Sequence, residues 1–197
     1  FIAFLTWYKN DREFDDNIYY NEYKNSKLII LDADKEKFVK EAKPLALEIE
    51  KKFGIPWQVS LAQWALESWW WKSELAQKDW NFFGIKAVKW QQWVNYKTKE
   101  EWKDWLYETT ASFRKFNWMQ DSFYWYAKFL AIDNPRYKPA FKYGYDINPK
   151  PDHYPSEYSW YNPLKFLIEI KKAWYATDKN YIQKTSWIIK SIEKIEK

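Results

Sequence analysis

Apolar positions along the first half of the chain fall at helical spacing. Phe38, Val39, Ala42, Leu45, Ala46, Ile49 and Phe53 form one stripe from Asp34 onward, which predicts an amphipathic helix. Gly54 stands at the expected stop before Ile55 and Pro56, and Pro44 is expected to kink the helix near its middle. A second helix opens at Pro56, where the first turn tolerates proline, and runs into LAQWALESWWWKSEL at 61–75. Leu61, Ala62, Ala65 and Leu66 recur there, so this helix reads as buried and each polar residue on it needs a reason. Ser73 is placed to cap a further short helix through Glu74 and Leu75.

Between 88 and 116 the period changes. Val94, Tyr96 and Thr98, then Thr109, Ala111 and Phe113, alternate as two strands around the polar turn KEEWKDW. Asp121 is placed to cap a helix carrying Phe123, Tyr126, Ala127, Phe129 and Leu130, and Pro135 begins another short segment. A proline-rich loop over 146–163 leads to two last helices, 163–173 and 179–196. In the second, Ile182, Ile188, Ile189, Ile192 and Ile195 share a face, expected to pack rather than meet a membrane because the polar face mixes Lys and Glu. Residues 1–34 read as a tail or linker with one weak strand at Leu28–Leu31, and residues 35–197 as the folded domain. The opening FIAFL is too short to span a membrane; it reads as the end of a signal peptide or anchor, or as the apolar start of a strand.

The second helix supplies the candidate chemistry. Glu67 falls in its last turn, partly desolvated and near the negative end of the helix dipole, and both effects favour the protonated form that a general acid needs. On position alone it also reads as a glutamate that hydrogen-bonds a neighbour. The chain has no Cys and one His, which removes thiolate catalysis and disulfides and makes a histidine triad or multi-histidine zinc site improbable. His153, in PKPDHYP, reads as a surface residue. With 47% hydrophobic and 30% charged residues and a mean hydropathy of −0.77, the composition is that of a soluble globular domain. A net charge of +5 suits an anionic partner, but the lysines are interspersed with acids and no nucleic-acid motif appears, so most of the charge reads as a solvated face.

Four stretches in order, GIPWQVSLAQWALESWWWKSELA, NFFGIKA at 81–87, FRKF at 113–116 and YATDKNY at 175–181, resemble the bacterial glucosaminidases of glycoside hydrolase family 73. The resemblance covers 35–197. It implies a mainly helical α+β, lysozyme-like fold, with a helical lobe and a small β-hairpin lobe flanking a groove. It implies an exported peptidoglycan hydrolase of the periplasm, cell surface or medium, working as a monomer on glycan strands, without nucleic acid, stable membrane insertion, metal or cofactor. By the same resemblance Glu67 is the acid and Glu100 the second carboxylate, with Glu101 the alternative by one residue; strand alternation lets only one of the two face the groove. Both also read as surface glutamates of a charged turn. Trp70, Asn81, Phe82, Tyr175 and Tyr181 are implied substrate contacts, although at least one of Phe82 and Phe83 is expected in the core and a structural role is the rival for each tyrosine. A lytic transglycosylase of similar fold and a non-catalytic wall-binding module remain the alternatives.

One departure is systematic. Where the resembled pattern reads Gly-Trp-Gly after Glu-Ser, this chain has Trp69, Trp70 and Trp71, and Trp174 stands where glycine precedes Tyr175. Trp57, Trp64, Trp90, Trp93 and Trp105 also fall where glycine would be unsurprising. Glycine at the usual ~7% would give roughly 14 residues, whereas the chain has 3 Gly and 16 Trp. The expectation is a gene in which UGA encodes glycine; tryptophans acting as sugar-stacking platforms are the competing reading.

Overall fold

The computed structural model describes residues 21, 23–24, 32–88, 91–102, 105–147 and 160–195, with the side chains of 98–107 outside that description. His153, the Leu28–Leu31 segment, FIAFL and Trp90 also lie outside the described residues. Asp32 accepts a hydrogen bond from the Lys35 N–H at 3.0 Å and starts α1, Ala33–Phe53. The helix continues through Pro44 and stops at Gly54, whose φ of 78° is open to a residue without Cβ. Helix α2, Trp57–Glu67, is buried on nearly every side, from Gln58 through Ala65. That is why its sequence is apolar around the whole circumference rather than along one stripe. A short α3, Glu74–Asp79, is capped by Ser73, whose Oγ accepts from the Ala76 N–H as expected.

Strands β1, Trp93–Trp102, and β2, Trp105–Arg114, form one antiparallel hairpin with Val94 opposite Phe113 and Tyr96 opposite Ala111. The ladder runs through most of the residues expected to form a turn, because pairing continues to Trp102 and Trp105. At the other end the hairpin is tied to the helical body. Tyr96 donates to buried Asp79 at 2.8 Å, and the Phe116 N–H donates to the Asp79 carbonyl at 2.9 Å. Helix α4, Met119–Lys128, begins two residues before Asp121, after an extended Trp118 without a side-chain cap, so the expected cap at Asp121 is corrected: it sits inside the first turn. A π-helical turn, Phe129–Asp133, and a 3₁₀ segment, Pro135–Tyr143, lead to α5, Pro163–Lys172, and α6, Tyr181–Ile195. Helix α2 forms the centre, packed by α1, α5 and α6. Ile182, Ile188, Ile189 and Ile192 are buried in that packing, and no described helix is long and apolar enough to cross a membrane.

Two packing features carry predictions. Gly54 and Gly144 cross at close range: the Tyr145 N–H donates to the Gly54 carbonyl at 2.9 Å, and a Cβ on Gly144 would stand 2.1 Å from that oxygen. Gly144→Ala is therefore expected to cost about 1–3 kcal/mol, as overpacking does, read as a lower midpoint in denaturant. Glu50 is buried beneath the Trp57 N–H and Tyr161, and burial pushes its carboxyl above the usual range. Because the folded value lies above the unfolded one, this contribution to stability is fully present below the unfolded pKa and lost as pH rises through the folded value. Glu50→Gln keeps an acceptor oxygen without the charge. It is expected to raise the unfolding midpoint at neutral pH and to leave it unchanged in acid.

Candidate active site

Glu67 is the final residue of α2 and is half-buried, as its place in the sequence pattern predicts. The chain then folds back on itself. Ser68 Oγ donates to the Trp64 carbonyl at 2.7 Å and accepts from the Trp71 N–H at 2.9 Å, while the Ser68 carbonyl accepts from the Ser73 N–H at 2.9 Å. This bonded turn fixes the end of the helix and thereby the start of the Glu67 side chain.

Opposite Glu67 lies the loop of residues 80–85. Gly84 has φ 60°, and a Cβ there would stand 3.9 Å from Glu67 Oε2, so any side chain at this position would touch the carboxylate. Asn81 holds the loop in shape. Its amide donates to the carbonyls of Ile85 and Arg114, each at 2.8 Å, and its oxygen accepts from the Ile85 N–H at 2.9 Å. Asn81, an implied substrate contact, is buried here and bonded on three sides, its amide joining this loop to β2. Phe82, another implied contact, follows Asn81 in the same loop. It is fully buried, with ring centroids of Trp64, Trp71 and Trp80 at 5.0, 5.8 and 6.2 Å, and so is Phe83, stacked on Tyr126 at 4.1 Å.

Beneath Glu67 sits a cluster of phenols. Tyr175 and Tyr181, both implied substrate contacts, are buried here with their rings 5.8 Å apart and form a layer under the acid. Burial pushes both hydroxyls well above the usual tyrosine range, and the negative charge of Glu67 adds to the shift in each. They are therefore neutral phenols at any working pH. Gln63 ties the layer together: its amide nitrogen donates to the Tyr181 hydroxyl at 2.7 Å, and its oxygen accepts from Tyr126. Sequence reasoning did not name Gln63, although a buried amide on an apolar helix was the signal that could have found it.

Trp70 is half-buried, edge-on to Phe38 at 5.4 Å, with the Lys35 ammonium 5.9 Å from its ring. Of the implied contacts whose side chains are described, it keeps an exposed part. On β1, Glu100 pairs with Tyr107 and Glu101 with Leu106, while both glutamate side chains lie outside the described part of the structure. The structure thus brings together Glu67, the Gly84 backbone and the Tyr175–Tyr181 layer. A half-buried carboxylate beside unobstructed backbone and above neutral phenols is suited to hand a proton to a leaving oxygen.

Comparison with known proteins places the family and the fold. A peptidoglycan hydrolase FlgJ from Vibrio parahaemolyticus is 34% identical over 163 residues, covering 80% of this chain and 47% of that protein. Its counterpart from Pseudomonas aeruginosa is 28% identical, covering 82% of this chain and 38% of that protein. This chain thus spans about half the length, or less, of these relatives. The crystal structure of the catalytic domain of the autolysin Auto from Listeria monocytogenes superposes with a TM-score of 0.63 at 25% identity, covering 93% of this chain and 97% of that one. The family profile described as mannosyl-glycoprotein endo-beta-N-acetylglucosaminidase matches residues 43–194, and the chain belongs to this glucosaminidase family.

Proposed function

We propose that this domain hydrolyses the β-1,4 bond on the reducing side of N-acetylglucosamine in peptidoglycan, outside the cytoplasm, with Glu67 as general acid. The observation that carries the reading is the Glu67 carboxylate at the end of α2, backed 3.9 Å away by the position of a Gly84 Cβ, in a chain of the glucosaminidase family. Glu67 gives its proton to the glycosidic oxygen as the bond from C1 to that oxygen breaks. The departing sugar leaves as an alcohol, and the positive charge developing at C1 is met by a nucleophile.

The nucleophile is the point at which Glu100 matters. An inverting base must stand roughly 6.5–9.5 Å from the acid. Within that range Glu100 activates water in an inverting step; beyond it the substrate's own 2-acetamido oxygen is the nucleophile, water then opens the cyclic intermediate, and Glu100 has a supporting role. Reduction of the products of a peptidoglycan digest tests the bond chosen. N-acetylglucosaminitol at the new ends is expected, and N-acetylmuramitol there would overturn the assignment.

A further inference from the structure

Among the described residues, five other than glycine have φ in the left-handed region: Trp69, Trp70, Trp71, Trp80 and Trp174. Every one is tryptophan, although tryptophan makes up about one residue in twelve of this chain. A bulky side chain is the poorest fit to that region after the β-branched ones, and Asn or Asp is the usual substitute for glycine there. Chance does not select the same unsuitable residue five times.

Two of these positions are built as glycine stops. After α2, the Trp69 N–H donates to the Leu66 carbonyl and the Trp70 N–H to the Ala65 carbonyl. After α5, the Trp174 N–H donates to the Lys171 carbonyl and the Tyr175 N–H to the Ile170 carbonyl. Both sets are the paired bonds of a Schellman stop, whose left-handed residue is most often glycine. Helix α1 ends on its own left-handed residue, and there the chain does have a glycine, Gly54. Packing does not account for the indoles at the other two. Trp70, Trp71 and Trp80 lie partly buried against the core, whereas Trp69 is 68% exposed and Trp174 49% exposed.

We propose that residues 69 and 174 are glycine in the functioning protein, the gene carrying UGA at both positions and its host reading UGA as glycine. The two residues stop the helices that lead into Glu67 and Tyr175, so the substitution also removes two exposed indoles close in the chain to those residues. The codons themselves give the first reading: UGA is expected at both, and UGG at either overturns the proposal. Fragment-ion sequencing of the protein from its own cells gives the second. Glycine is expected at both positions, each peptide lighter by one indolylmethyl-for-hydrogen exchange, and tryptophan at either overturns it. A third test needs no native source: the chain carrying Trp69→Gly and Trp174→Gly together is expected to unfold about 5 °C or more higher than the chain as written. An unchanged or lower midpoint would mean that the indoles belong to the fold.

Discussion

Glu67→Gln is expected to lower turnover on peptidoglycan by about a hundred- to ten-thousand-fold, the range that one general acid contributes. The amide fills the same space at the end of α2 and keeps an acceptor oxygen, but it has no proton of suitable acidity to give the leaving alcohol. KM should therefore change little, and the unfolding midpoint should stay within a few degrees, because the turn that fixes this helix end is made by Ser68 and the following backbone. Parallel measurement of kcat, KM and thermal midpoint separates the loss of a proton donor from the loss of a fold. A variant that keeps full turnover would move the acid elsewhere.

Phe82→Ala is expected to destabilise the domain by about 3–5 kcal/mol, the usual cost of removing a fully buried phenyl ring. The ring lies among three indoles and carries the same loop that presents Gly84 to Glu67. Equilibrium denaturation reads the loss directly. A residue that touched sugar instead would show the opposite split: an almost unchanged midpoint and a raised KM. Phe82 therefore offers a direct test of whether the loop 80–85 meets the glycan with its side chains or supports the acid from behind.

The elements that were legible in the sequence are those whose signal is local. The α1 stripe, the stop at Gly54, the Ser73 cap and the alternation from Val94 to Thr98 each depend on residues a few places apart, and each element stands where the pattern puts it. Glu67 at the end of α2 was legible for the same reason. The supporting layer was not. Whether Asn81 faces solvent or bonds Ile85 and Arg114 depends on where β2 returns, 33 residues later in the case of Arg114. Tyr175 follows the stop of α5 and Tyr181 opens α6, and the local pattern left a groove-facing and a structural role open for each, because burial there depends on α2 packing on α6. Asp121 misled for a different reason: an acidic residue is favoured both as a cap and within the first turn, and here the extended Trp118 sets the boundary.

These assignments make one electrostatic arrangement of the site. Neutral phenols lie below the Glu67 carboxylate, Gly84 of the loop 80–85 faces it, and the bonded turn 68–73 holds the end of its helix. The hairpin is anchored through Tyr96 and Asp79 to the helical body, with Glu100 four residues beyond Tyr96 on β1. A glycan bound between them would present its scissile oxygen to Glu67 and its more distant sugars to the hairpin.

The most direct test of the central claim is a short digest of purified peptidoglycan in heavy-oxygen water, followed at once by borohydride reduction and mass analysis of the fragments. A hydrolase that uses Glu67 as acid places one solvent oxygen on every new reducing terminus. Termini closed as 1,6-anhydro sugars without solvent oxygen, or a folded protein that binds the sacculus and releases no new termini, would contradict the account.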